Sequence, residues 1–363
     1  MYTELTTPAV VVDLDIAERN ISRMAELLRN KGIAHRPHIK TTKSAYFANK
    51  QLAAGASGIT VAKLSEAETF VELGIDHILV AYSIVGEDKL QHLEALQKKA
   101  HIIVTVDSME AAEGLSSVGV RSGQSVEVLI EVDGGLHRGG RQPGEDTLAF
   151  ARAISELAGI RLKGIMGYFG TIYRNKDEES FRKAAGHESL VLSETASLLK
   201  DAGFCTEIIS GGSSPAALMC ENLDGVTEVR AGNYIFFDAS GVSMGLAGES
   251  DCALRIIATV VSVPLPGRAT IDAGTKTLTS DKAHHREGFG IVTGLPDVQI
   301  TGLNEEHGFL EFDIAKVQLR VGDRVEIIPN HSCVIPNLCN TITGVRKGKP
   351  VEIIKVDARG CNY

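Results

Sequence analysis

Lys40 sits in an unusually basic decapeptide, AHRPHIKTTK (34–43), where His35, Arg36 and His38 precede it and Lys43 follows. A segment meant only for a hydrophobic core would not be written this way. Cations beside an amine lower its pKa and enlarge its nucleophilic fraction, so Lys40 is a candidate for covalent chemistry with a carbonyl. SGGSSP (210–215) and RAGNY (230–234) supply glycines and hydroxyls that let backbone N–H groups face an anion. PNHSC (329–333) sets His331 and Cys333 at i, i+2, on one face of an extended segment, which suits two ligands of one metal. DGGLHRGGRQPG carries Asp133, His137 and Arg138 but lacks a helix-opening dinucleotide fingerprint. Singly, each has an ordinary reading: a solvated lysine at a strand end, a turn, a chance H-x-C. Their value depends on whether the fold gathers them.

The first two-thirds of the chain alternates short β-branched runs with longer amphipathic stretches. Strands are expected at 35–40, 58–62, 77–81, 101–107, 126–133, 162–168, 206–212 and 227–237. Helical spacing lies between them, as in KLSEAETFVELG and DKLQHLEALQKK, and DSMEAAEGL opens on an N-cap at Asp107 or Ser108. Eight strands with intervening helices is the count of a closed (β/α)8 TIM-type barrel, the α/β alternative being a doubly wound open sheet. TPAVVVDL adds a strand with no place in that count and belongs to a lead-in or to the other domain. After about residue 250 the texture becomes strand-like with Gly, Pro and Asp turns, a C-terminal antiparallel β-domain. The expected domains are a barrel over 8–247 and a β-domain over 248–363, joined by residues 1–7.

Barrel enzymes work at the C-terminal ends of their strands. Lys40 ends the first strand, the Asp133–Arg138 loop follows the fifth, Tyr168 ends the sixth, and SGGSS and RAGNY fall at the seventh and eighth. Distant segments thus converge on one rim. Barrels commonly bind phosphate after strands seven and eight. A lysine across from a phosphate cradle points to pyridoxal 5′-phosphate carried on Lys40. Lys43, entering a helix, reads as a surface or supporting residue. A thiolate with an imidazole favours zinc over magnesium or manganese, and only two protein ligands leave positions open for water and substrate.

The chain of 363 residues is 44% hydrophobic and carries net charge -9, which argues against a nucleic-acid or anionic-membrane partner. No apolar run approaches a membrane helix, and no secretion signal opens the sequence, so a cytoplasmic location is expected. Six scattered cysteines read as reduced thiols, with Cys205 expected as a buried small hydrophobe.

With RPHIKTTK, AGASGITVAKLSEAE, VDGGLHRGG, VRAGNYIFFD, DAGTKTLTSD, PNHSC and VDARG in view, the chain resembles the D-threonine aldolase and D-serine dehydratase family. The likeness runs nearly end to end. It implies a fold-type III architecture, that of alanine racemase, and pyridoxal 5′-phosphate plus a divalent metal as cofactors. By position, Lys40 would carry the cofactor and serve as α-proton base. Arg138 would lie near the phenolic oxygen and Tyr168 beside the ring. Gly211, Gly212, Ser213, Gly232 and Asn233 would cradle the phosphate, and His331 and Cys333 would bind the metal. The resemblance also implies a head-to-tail homodimer acting on a small D-amino acid. Two departures stand out: Thr42 where relatives often have histidine, and Phe169 where an acidic residue is usual.

An alanine racemase needs a second base, a tyrosine, which the DAGTKTL stretch lacks. One base with one Lewis acid suits chemistry at Cβ of a D-3-hydroxy amino acid, either β-elimination or retro-aldol cleavage. H-x-C, typical of the dehydratases, tilts the reading slightly to elimination. An amino-acid racemase and a non-enzymatic pyridoxal phosphate carrier are the alternatives. EEH (305–307) and HH (284–285) read as surface or supporting residues, and Asp272, Lys276 and Asp281 have no assigned role.

Overall fold

Pro37 explains why the first barrel strand is so short. Lacking an N–H, it interrupts the ladder, so regular strand covers only Ala34–His35, and Ile39–Thr41 closes into a 3-10 turn bearing Lys40. The segment is nonetheless bonded on both sides. Ala34 and Arg36 donate N–H groups to the Thr227 and Val229 carbonyls, while Ser57 and Thr60 donate to His35 and Pro37. Those two sets of bonds close the cylinder in this computed structural model, which describes Tyr2 and residues 4–363.

The barrel unit comprises Met24–Lys40, Phe47–Gly232 and Gly360–Tyr363. Its eight parallel strands run, in spatial order, Ala34–His35, Glu228–Val229, Ile208–Gly211, Ile160–Tyr168, Val126–Asp133, His101–Val106, His77–Ser83 and Ile59–Val61, with a His38↔Thr60 bridge completing the ring. The closed barrel expected from the alternation is therefore present. The eighth strand is far shorter than the run 227–237: after Val229 the Arg230 N–H turns to the Gly211 and Gly212 carbonyls, and Asn233–Ile235 is a 3-10 turn. Ser108 caps the helix Met109–Ser122, its hydroxyl accepting the Ala111 N–H. Parallel register puts Leu79, Ile103, Leu129 and Met166 in one apolar cluster, a layer in which the four strands meet. Gly164, at φ +146, has no room for a side chain against the Ile208 carbonyl.

The second unit contains the residues up to Arg23, Thr41–Tyr46 and Asn233–Arg359. The units interleave along the chain, where a barrel over 8–247 and a β-domain over 248–363 with residues 1–7 were expected. The reason is strand pairing: Ala9–Asp13 runs antiparallel to Leu254–Leu265 and parallel to Thr341–Arg346, so the extra N-terminal strand is central to this sheet. The parallel pair makes the sheet mixed rather than wholly antiparallel. Val298–Leu303, Gly308–Phe312 and Arg268–Ile271 extend one side, Lys349–Lys355 the other, and Arg324–Ile328 pairs with Leu254–Leu265.

Candidate active site

In the barrel unit, register assigns inward faces. Arg36 and His38 share the face of Glu228, and through it that of Ser210, Met166 and Glu131. The charges there are largely compensated. Arg36 Nε donates to Glu228 Oε2 at 2.7 Å with both side chains buried, Glu228 Oε1 accepts from the Ser210 hydroxyl at 2.8 Å, and Arg230 donates to Ser210 Oγ and the Gly167 carbonyl. Burial pushes the Glu131 carboxyl up, against the pull of Arg138.

This arrangement changes the expected role of the basic decapeptide. His35 is buried, with Nε2 3.1 Å from the Ala231 carbonyl, and burial drops its imidazole to about 4. Burial, then the charges of Lys40, Arg230 and Arg138, hold His38 well below its ordinary value. With Arg36 paired to Glu228, none of the three presents an uncompensated cation to Lys40. Lys40 itself is exposed, and its ammonium has no hydrogen-bond or ion-pair partner among the described residues. Lys43 is buried, not on the surface; its Nζ donates to the Ala358 carbonyl at 3.3 Å.

Arg138 stacks over Tyr168, its guanidinium carbon 4.8 Å from the ring centroid. The loop that carries it is anchored by Asp133, which accepts from Gly135 N, His137 N and His137 Nδ1. Burial opposes the Asp133 charge, but these donors, His137 first, hold its carboxyl below the usual range. His137 is therefore a loop anchor. At the seventh strand, Gly212 adopts φ +69 and its N–H is committed to Glu188 Oε1 at 2.6 Å. At the same turn Ser213 Oγ is buried with no partner among the described residues. Phe169 is buried edge-on to His187, and the Thr42 hydroxyl is buried without a partner, at the two positions that depart from the family pattern.

In the second unit, His331 Nδ1 lies 2.8 Å from Asp281 Oδ2, which leaves Nε2 as the coordinating nitrogen. Cys333 Sγ is 3.1 Å from the hydroxyl of Thr41, the residue following Lys40 in the chain, and 3.6 Å from Asn233 Nδ2. Asn233 also donates to Asp238 Oδ2 and Ser332 Oγ. Burial opposes a proton on His331, yet Cys333, Asp238 and Asp281 raise its pKa to about 10. Among the described residues no three His, Cys, Asp or Glu side chains form a group that could hold a metal ion. The donor set fits a divalent metal, and the unpartnered amine and the orphaned Ser213 hydroxyl fit a phosphorylated aldehyde.

Sequence reasoning gave no role to Asp281 and did not single out Glu188. Their spacing from the motifs, 50 and 24 residues from His331 and Gly212, carries no local signal. Cys205, expected inside, is exposed in the connection before Ile208–Gly211. His284 and His285 lie with their ring centroids 6.3 Å apart.

The barrel, the lysine-bearing turn and the H-x-C pair define a class: the chain belongs to the alanine racemase N-terminal domain family, whose model matches residues 12–240, and a putative serine dehydratase domain matches residues 253–345. Within that class it is similar to lyases named for D-3-hydroxy amino acids. It is 38% identical to D-threo-3-hydroxyaspartate dehydratase of Delftia sp. (strain HT23), covering 91% of each chain. A crystal structure of D-threonine aldolase from Filomicrobium marinum superposes with TM-score 0.93 at 30% identity, covering 100% of this chain and 98% of that one. A mutant D-threo-3-hydroxyaspartate dehydratase, described in its metal-free form, gives TM-score 0.90 at 36% identity over 97% of both chains. The family resemblance and the barrel read from the motifs hold.

Proposed function

We propose that the chain is a pyridoxal 5′-phosphate- and divalent-metal-dependent lyase of D-3-hydroxy amino acids, and that its reaction is dehydration. The observation that carries this reading is His331 braced by Asp281 with Cys333 two residues on. When bound, the cofactor supplies an electron sink for charge at Cα, and the metal supplies Lewis acidity for the β-hydroxyl. The rest falls to the chain. Lys40 Nζ, without a partner, takes the α-proton. Arg138, fixed over Tyr168, offers a cation to the cofactor's anionic ring oxygen. Ser213 Oγ and the backbone at Gly211 and Gly232 hold the phosphate. His331 Nε2 and Cys333 Sγ hold the metal, zinc by donor type, with manganese and magnesium as the alternatives.

Loss of the α-proton and the β-hydroxyl leaves an enamine that hydrolyses to a 2-oxo acid and ammonia. The Delftia relative, a dehydratase, supports this reading. The second reading is retro-aldol cleavage to glycine and an aldehyde, favoured by likeness to the Filomicrobium aldolase. Incubation with D-threonine, D-serine and D-threo-3-hydroxyaspartate distinguishes them: ammonia with an oxo acid supports dehydration, and glycine with an aldehyde refutes it. Activity that survives thorough chelation removes the metal from the mechanism. A homodimer is part of the proposal, and light scattering on the eluting peak tests it. No helix among the described residues is long and apolar enough to cross a membrane; a cytoplasmic location remains part of the proposal.

A further inference from the structure

We propose that Glu188 is a positioning residue for the cofactor's phosphate: its carboxyl fixes the Gly211–Ser213 turn. The inference rests on the pyridoxal phosphate reading above. Glu188 lies in the helix Glu178–Asp201 and is 1% exposed. One oxygen, Oε1, accepts the Gly212 N–H at 2.6 Å; the other, Oε2, is buried without a partner. Ser213 Oγ, one residue along the same turn, is also buried and unpartnered. Buried polar atoms are nearly always paired, so two orphans at one turn mark a ligand that brings hydrogen-bonding capacity with it.

The turn is seated tightly against this carboxyl. A Cβ on Gly211 would lie 2.8 Å from Glu188 Oε1, and one on Gly212 would lie 2.6 Å from Val229 Cβ. Glu188 on one side and Val229 on the other thus set where Ser213 points.

Charge decides the protonation state. An ionised carboxylate beside Ser213 would repel an arriving phosphate, whereas the acid does not, and its O–H becomes a donor. The groups facing Glu188 are Gly211 and Gly212 of the turn, Leu192 of its own helix, and Arg230 from the chain after Glu228–Val229. Arg230 is spent on Ser210 and the Gly167 carbonyl. Burial pushes the Glu188 carboxyl up to about 7 against both the Gly212 N–H and Arg230.

The test uses apo protein and two ligands that lack the aldehyde and so cannot bond to Lys40: pyridoxine 5′-phosphate and pyridoxine. Calorimetry above neutral pH gives both affinities, and repeating it in two buffers of different ionisation enthalpy gives the protons taken up. E188Q should keep affinity for the phosphorylated ligand within about twofold, because an amide reproduces the neutral acid, while E188A should lose about tenfold or more. Pyridoxine should bind alike to all three. Wild type should take up a proton with the phosphorylated ligand that E188Q does not. E188A binding like wild type overturns the positioning role. E188Q binding as weakly as E188A, or proton uptake equal in wild type and E188Q, overturns the neutral acid, and the proton arm decides even where E188A does not fold. Wild type that fails to prefer the phosphorylated ligand overturns the cofactor reading instead.

Discussion

Asp281 offers the sharpest test of the metal pair, because it touches the imidazole without being needed as a ligand. Its Oδ2 sits 2.8 Å from His331 Nδ1, fixing the tautomer that presents Nε2 and raising the basicity of that nitrogen. Such partners are worth about 10- to 100-fold in metal affinity. Here the side chains are 43% and 39% exposed, so water screens the carboxylate and the lower end applies. Asp281→Ala should therefore weaken binding by about tenfold, or about 1.4 kcal/mol. Asp281→Asn, which keeps an oxygen acceptor, should lose less. Protein stripped with chelator and titrated with zinc, then manganese, by calorimetry gives the numbers, with pyridoxine 5′-phosphate affinity as a control that should not move. A loss far beyond a hundredfold would make Asp281 a ligand. No loss at all would leave His331 oriented by something else, and the braced-imidazole argument would fail.

Three further outcomes follow from the same geometry. Lys40→Ala should abolish turnover and leave no cofactor mass on the protein after borohydride reduction; a labelled lysine elsewhere by peptide mapping refutes the assignment. Arg36→Met should cost about 3–5 kcal/mol in urea unfolding, because it strands the buried Glu228 carboxylate, and a loss under about 1 kcal/mol would show that the pair is not a buried charge. For Glu188 the sign follows from a folded pKa near 7 against an unfolded 4.5. Between those values the folded apo protein binds more protons, so wild type should lose stability relative to E188Q as pH rises, by at most about 3 kcal/mol, then level off. Parallel stability curves for the two proteins would contradict it.

The barrel was legible because buried parallel strands are written as β-branched runs and their helices as 3.6-residue periods. What failed was length at the two strands nearest the chemistry. Pro37 cuts the first ladder, and the Arg230 N–H leaves the eighth for the Gly211 and Gly212 carbonyls. Both are local hydrogen-bond choices that an apolar run does not reveal. The candidate motifs were visible, but their burial was not. His35, Arg36 and His38 read as three cations, and the fold makes them two neutral rings and an ion pair, because Glu228 arrives from a strand nearly two hundred residues away. Asn233 read as part of a phosphate cradle, and the contacts of its amide with Ser332 and Cys333, about a hundred residues on, carried no local signal.

That compensation makes Lys40 intelligible. On the inward faces of the barrel strands, Arg36 meets Glu228, Arg161 and His101 meet Glu127, and Arg230 is spent on Ser210 and the Gly167 carbonyl. At the C-terminal strand ends, Lys40 and Arg138 have no carboxylate in ion-pair contact among the described residues. In a chain with nine net negative charges, these two cations lie at one rim of the barrel. A ligand bearing a phosphate and an anionic ring oxygen would complete the pairing that the rest of the barrel makes internally. The Ser213 hydroxyl, buried and unpartnered at the end of Ile208–Gly211, is the neutral counterpart of the same deficit. Filling it from solution, not from within the fold, is the simplest account of why these three groups were left unmatched.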